Sequence, residues 1–382
     1  MKLLIITNLF PNAKEPNRST FNVQQFMELS RLCELKVVAP IPCFQYFDGQ
    51  VPAFERIGDI DVYHPRYLVI PKIGRCTHGL AFFIGIWHTL KIVQRSFRYD
   101  AILAAWAYPD AVGAALAARL LKKKFFVKVH GSDINLAGHY WSRVPMIKWA
   151  LSRADGVIAV SQPLKKKIVA MGIPQEKVVV ISNGVDTGKF FPRPKDACRE
   201  QIGLSPSGRY ILYVGNFSAV KGVLYLIKAF ALLAPAPDLK LVLVGDGEDK
   251  VALIQLAREL GVDERVTFAG RKPHQDIPVW MSAADVFCLP SLNEGCPNVV
   301  LEAMACGAKV VASNVGGVPD IIDAPEKGWR ARPGDPEDLA QCLNAALNAP
   351  ELARSTRTIS WAESAGMIHK TLIRSVPDEV KT

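Results

Sequence analysis

Two carboxylates eight residues apart, Glu294 and Glu302, bracket the segment Glu294-Gly-Cys-Pro-Asn-Val-Val-Leu-Glu302. Small residues crowd around them: Gly295 within the segment, and Ala303, Ala305 and Gly307 just after it, which implies close backbone approach. The apolar run 285–290 reads as a short buried strand, Glu294 falls in a loop, and 298–306 has helical spacing. Pro297 stands where a helix starts, a position that tolerates its fixed φ and missing donor. A strand, a loop and a helix N-terminus make an anion site, because free backbone N–H groups and the helix dipole point at the ligand. A carboxylate beside such a site is costly unless it has hydroxyls to accept from. A phosphorylated sugar offers both groups, so a nucleotide-sugar is the natural ligand.

Three further clusters carry chemistry. In Val214-Gly-Asn-Phe-Ser-Ala-Val-Lys-Gly222, Lys221 lies near the N-terminus of a helix predicted over 224–233, where a cation opposes the dipole unless it meets an anion such as a diphosphate. His130-Gly-Ser-Asp133 directly follows the strand 125–129, at the end of a strand where ligands gather in open α/β sheets. His130 could donate to a sugar hydroxyl or act as a base, and Ser132 and Asp133 could instead cap a turn. After the strand 309–312, Gly316 and Gly317 permit a tight turn, with N–H groups toward phosphate or as plain structure. Other chemistries lack their signatures. Gly245-Asp-Gly247 has no third glycine of a dinucleotide loop, and there is no P-loop, no metal-ligand cluster and no nucleophile elbow.

Positioning these residues requires strands that alternate with helices. Strand patterns at 3–7, 35–39, 101–104, 125–129 and 156–160 are interleaved with helical ones at 21–32, 111–121 and 163–171. The alternation restarts at 210–214 and continues through 239–244, 266–268, 286–289 and 309–312. Between the halves, 183–194 is rich in turn formers and ends in two prolines, as a linker would be. The fold class is therefore α/β: two doubly wound Rossmann-like domains facing across a cleft.

The chain's 382 residues suit two cores, and its eight cysteines are scattered, as core thiols of a reducing compartment. The first strand ends before any signal-peptide core is complete. No apolar run reaches transmembrane length. The nearest, 79–93, reads as a helix buried against the first sheet, with apposition to a membrane as the sharper reading. Residues 1–190 hold 25 Lys+Arg against 13 Asp+Glu, so the net charge of +10 resides in the first half. That field suits an anionic partner. Without a nucleic-acid module, a membrane surface or a lipid-phosphate acceptor ranks above nucleic acid.

Together, Asn183-Gly-Val-Asp186 with Phe190 and Pro192, the stretch Glu294–Gly307, Trp106-Ala-Tyr-Pro-Asp110 and His130-Gly-Ser-Asp133 resemble the group-one glycosyltransferases (family four, GT-B fold). The similarity is to members that build bacterial cell-surface polysaccharides. It implies metal-independent, retaining transfer of a sugar from a nucleotide-diphosphate donor, with no further cofactor, to a lipid-linked or polysaccharide acceptor. The enzyme is expected in the cytoplasm, peripheral at the inner membrane face. The resemblance implies His130, Lys221 and Glu294 as catalytic residues. It implies a donor site of Asn216, Lys221, Glu294, Gly295, Cys296, Pro297, Asn298 and Glu302, with Lys221 on the diphosphate, Glu302 on the ribose and Glu294 on the sugar. It also divides the chain into an acceptor-side domain over 1–190, a donor domain over 195–355 and a helix in 356–382 that crosses back. Two positions depart from the family. Asn216 stands where an arginine is usual, so that Arg271 or Lys272 is expected to compensate, and the loop 8–20 lacks paired glycines. An epimerase or hydrolase, or a non-catalytic partner subunit, is the alternative on the same fold.

Overall fold

The computed structural model describes the chain except for residues 17, 45–50, 70–76, 136–141, 234–237, 351–357 and 375–382. It divides into two compact units, Met1–Gly184 with Trp361–Thr382, and Val185–Ser360. The division falls at the start of the turn-rich stretch 183–194. Val185 and Phe190 are each 1% exposed in the core of the second unit and commit that stretch to it.

The second unit is built on a six-stranded sheet in the order Val266–Gly270, Leu239–Val244, Arg209–Val214, Val286–Leu289, Lys309–Ser313, Trp329–Ala331. Every neighbouring pair is parallel. Strands such as Val286-Phe-Cys-Leu289 are buried along their whole length, which is why they read as continuous apolar runs rather than alternating ones. Chain order reverses between Arg209–Val214 and Val286–Leu289, and in such sheets ligands bind outside the carboxyl ends of the strands at that switch point.

The first unit has an eight-stranded sheet in the order Val178–Val180, Gly156–Ala159, Lys124–Val129, Ala101–Ala104, Lys2–Ile6, Glu34–Val38, Ile60–Tyr63, Phe54–Ile57. Only its last pair is antiparallel. That edge hairpin is not predicted from the sequence, since its strands are short and mix apolar with polar residues instead of forming a continuous apolar run. Helix Trp361–Arg374 belongs to this unit. Ala365, Ile368 and Leu372 enter its core, and Ser364 bridges the Gln25 amide (3.1 Å) and the Ser182 carbonyl (2.7 Å). Helix His78–Phe97 buries Phe82, Ile86, Leu90, Val93 and Phe97 but leaves Leu80, Ile84 and Ile92 exposed, at 54%, 65% and 48%. Among the described residues no helix is long and apolar enough to cross a membrane.

Candidate active site

In the second unit the two loops at the switch point are tied to each other by their backbones. After Arg209–Val214 the chain makes one tight turn, Ala219–Lys221, and enters helix Val223–Leu232 through Gly222 at φ +62°. A Cβ on Gly222 would lie 2.2 Å from the Pro290 carbonyl oxygen, so only glycine lets the first loop approach the end of Val286–Leu289 so closely. The Leu292 amide then donates to the Val220 carbonyl at 2.8 Å.

That approach delivers Lys221 to Glu294. The ammonium donates to Oε1 at 2.7 Å, with the lysine side chain 30% exposed and the glutamate 10%. Gly316 approaches from the loop after Lys309–Ser313. Its φ is +52°, and a Cβ there would lie 1.9 Å from the Glu294 carbonyl oxygen. Three loops thus converge on Glu294, and the turn at Gly316 is part of the site's support.

The helix Asn298–Ala305 begins at Asn298, as the sequence suggests, and Pro297 stands at its start. Pro297 is the residue before the helix, with extended backbone at φ −76°. The extended conformation of a helix cap suits proline's fixed φ, and its carbonyl closes the first turn by accepting from Val300 at 3.0 Å. Gly295, Cys296 and Asn298 line the partly exposed stretch from Glu294 to this cap.

Glu302 lies one helical turn further on, 16% exposed, and its Oε1 is 3.2 Å from His274 Nε2. The other ring nitrogen, Nδ1, is 2.6 Å from the Lys189 ammonium. Burial pulls Lys189 below the ordinary lysine value, and the charges of Glu302, Asp186 and Asp276 pull back. Neither His274 nor Lys189 is a predicted site residue. His274 follows the strand Val266–Gly270, at the same kind of strand end that singles out His130. Lys189 lies in the stretch read only as a linker. Asn216 is exposed, with its carbonyl accepting the Tyr213 hydroxyl at 2.8 Å, and Lys272 lies 5.3 Å over the Trp280 ring. From outside the first loop, Lys189 meets Glu302 through His274.

His130 belongs to the first unit, at the end of Lys124–Val129. Its ring lies 5.0 Å from Phe21 and 5.9 Å from Trp106. The residue as a whole is partly exposed, while Nε2 is buried without a hydrogen-bond partner among the described residues. Burial and the charge of Lys128 hold the imidazole well below its ordinary pKa, so it is neutral near pH 7 and suited to hydrogen bonding rather than to carrying charge. Asp133 locks the loop: its carboxylate accepts from the amides of Ala107 (3.0 Å), Gly131 (2.8 Å) and His130 (3.1 Å). Burial outweighs those bonds and raises its pKa from 3.8 to about 6. Because the folded value is the higher one, the stability Asp133 contributes is complete below about pH 4 and is lost as pH rises through about 6. Replacing it with Asn removes that titration. Between pH 4 and 7 the stability difference between Asp133→Asn and the parent should move by about 2 kcal/mol in favour of the variant. Urea unfolding at several pH values measures this, and a difference that stays flat refutes it.

Comparison with known proteins follows the same division. Residues 194–360 match the family profile described as glycosyl transferases group 1, and 27–189 that of glycosyltransferase family 4. N-acetyl-alpha-D-glucosaminyl L-malate synthase of Bacillus anthracis is 30% identical over 267 residues, 69% of each chain. TuaC of Bacillus subtilis, a glycosyltransferase named for teichuronic acid biosynthesis, is 30% identical over 337 residues, 84% of this chain and 83% of its own. Among solved structures, Anabaena HepE in complex with UDP and glucose superposes with a TM-score of 0.76 at 24% identity, covering 98% and 99% of the two chains.

Proposed function

Because the chain belongs to the group 1 glycosyltransferases, we propose that it moves a sugar from a nucleotide-sugar donor to a lipid-linked or polysaccharide acceptor in cell-surface glycan synthesis. The single observation that carries this reading is the Lys221–Glu294 contact at the switch point. It brings together a cation for a diphosphate and a carboxylate for sugar hydroxyls, the two groups a nucleotide-sugar joins through one bond. The names of TuaC and of the HepE complex with UDP and glucose agree with a glycan product and a uridine-type donor.

In this reading Lys221 turns from Glu294 to the diphosphate as the donor enters, and Glu294 is released to the sugar's ring hydroxyls. Glu302 accepts from the ribose hydroxyls, and N–H groups around Cys296–Asn298 assist at the phosphates. Gly295 and Pro297 give that loop its path. Asn216 lies in the loop that carries Lys221, and His130 serves the donor sugar as a neutral hydrogen-bonding group. The sugar–phosphate bond breaks while the acceptor oxygen bonds to the same anomeric carbon with retention. The acceptor's proton passes to the leaving diphosphate. Stabilising the negative charge on that diphosphate is the main catalytic demand, and Lys221 meets it without a metal ion.

The protein works in the cytoplasm, held at the inner membrane face. The exposed Leu80, Ile84 and Ile92, with Lys91 and Arg95 on the same helix, are suited to an anionic lipid surface. One experiment tests the whole reading. A panel of labelled nucleotide-sugars is incubated with the protein and anionic vesicles carrying lipid-linked acceptors, and the products are resolved. Acceptor-dependent label in the pelleted lipid is the expected result. Label appearing as free sugar or as an isomerised donor, with or without acceptor, marks a hydrolase or epimerase instead.

A further inference from the structure

We propose that Lys189 and His274 are positioning residues that hold Glu302 ready for the donor's ribose, with the imidazole relaying the lysine's charge to the carboxylate. The inference rests on the reading of Glu302 as the ribose contact.

The chemistry of the three groups fixes their arrangement. A lysine ammonium has only donors, so at 2.6 Å the His274 Nδ1 must be the acceptor. The neutral ring then carries its proton on Nε2, which donates to Glu302 Oε1 across 3.2 Å. Neither protonated imidazole nor the other neutral tautomer fits, since each would turn an N–H toward the ammonium. The ring plane is held by Phe190, 5.3 Å away and 1% exposed, so the relay is anchored in the core of its own unit. Lys189 is fixed by its backbone, whose amide donates to the Asp186 carboxylate at 3.2 Å and whose carbonyl accepts from Arg193 at 3.3 Å.

The consequence is functional. One oxygen of Glu302 is pinned and the carboxylate plane is set before a ligand arrives, which removes the rotamer cost of ordering a glutamate on binding. With Oε1 engaged by the ring N–H, the carboxylate keeps its second oxygen to accept from hydroxyls. The relay brings to this glutamate a charge from the stretch 183–194, while Asn216 supplies none.

The test is calorimetric titration of the full chain with UDP, GDP, ADP and CDP and their 2′,3′-dideoxy counterparts. For the nucleotide that binds, the parent should prefer the ribose form by about tenfold or more, and Glu302→Gln should reduce that preference to near one. His274→Ala is expected to lose most of the preference, with the donor KM raised about tenfold and kcat at saturating donor retained. His274→Gln, whose amide supplies both an acceptor and a donor, should recover it, and Lys189→Met should fall between. Unchanged melting temperatures separate this from misfolding. A full ribose preference in His274→Ala and Lys189→Met, with Glu302→Gln having lost it, overturns the relay. A full preference in Glu302→Gln itself overturns the ribose reading and the relay with it, as does failure of every nucleotide to bind.

Discussion

Lys221→Ala is expected to lower kcat/KM for sugar transfer by about 10²–10³-fold, the cost of removing one preorganised group that stabilises developing negative charge. That corresponds to about 3–4 kcal/mol of transition-state stabilisation. The ion pair with Glu294 contributes far less to folding. Its lysine is 30% exposed, and such pairs stabilise by about 1 kcal/mol or less. Melting should therefore move by no more than about 4 °C in a domain of this size. The decisive measurement is the ratio of affinities for a nucleoside diphosphate and its monophosphate, which Lys221→Ala should collapse and Lys221→Arg largely keep. Normal turnover in Lys221→Ala, with the fold intact, would remove the lysine from the mechanism and leave the Lys221–Glu294 contact as surface structure.

Gly316→Ala should be nearly as damaging, through geometry rather than charge. The new Cβ would meet the Glu294 carbonyl oxygen at 1.9 Å, and φ +52° is strained for alanine even in open space. A residue forced into the left-handed region costs about 1–3 kcal/mol, and relief of the clash requires the Gly316 turn or the Glu294 loop to move. A displacement of about 1 Å at a reacting group can lower the rate by about 10²-fold. The expected outcome is a lowered melting temperature together with a 10–100-fold loss of kcat/KM. A variant that melts lower yet transfers sugar at the parent's rate would show that the turn supports the fold without positioning Glu294.

How much of this site is legible before folding depends on the range of the interaction. The loop bearing Glu294, the cap at Pro297 and the helix carrying Glu302 are all local, and the residue types announce them. The importance of Gly316 is half legible. Two adjacent glycines signal a turn, but only the backbone distinguishes Gly316 at +52° from Gly317 at −83°. The edge hairpin Phe54–Ile57 and Ile60–Tyr63 is not legible by pattern, because a strand exposed on one side needs no continuous apolar run. His274 and Lys189 escape for a different reason. Each is an ordinary polar residue in an ordinary loop, 85 positions apart, and nothing in either neighbourhood names the other.

The sequence by itself determined the class of fold, the alternation that builds two mostly parallel sheets, and the loops and helix that carry Lys221, Glu294 and Glu302. These follow from periodicity, turn chemistry and charge within a few residues. Only the tertiary structure decided that Lys221 and Glu294, 73 residues apart, touch, that Glu302 is held through a histidine, and that the stretch after Gly184 belongs to the second unit. The physical reason is strand order. Local pattern specifies that a strand exists, but which strand lies beside it is set by burying the whole apolar surface at once. That global choice places the carboxyl ends of Arg209–Val214 and Val286–Leu289 side by side.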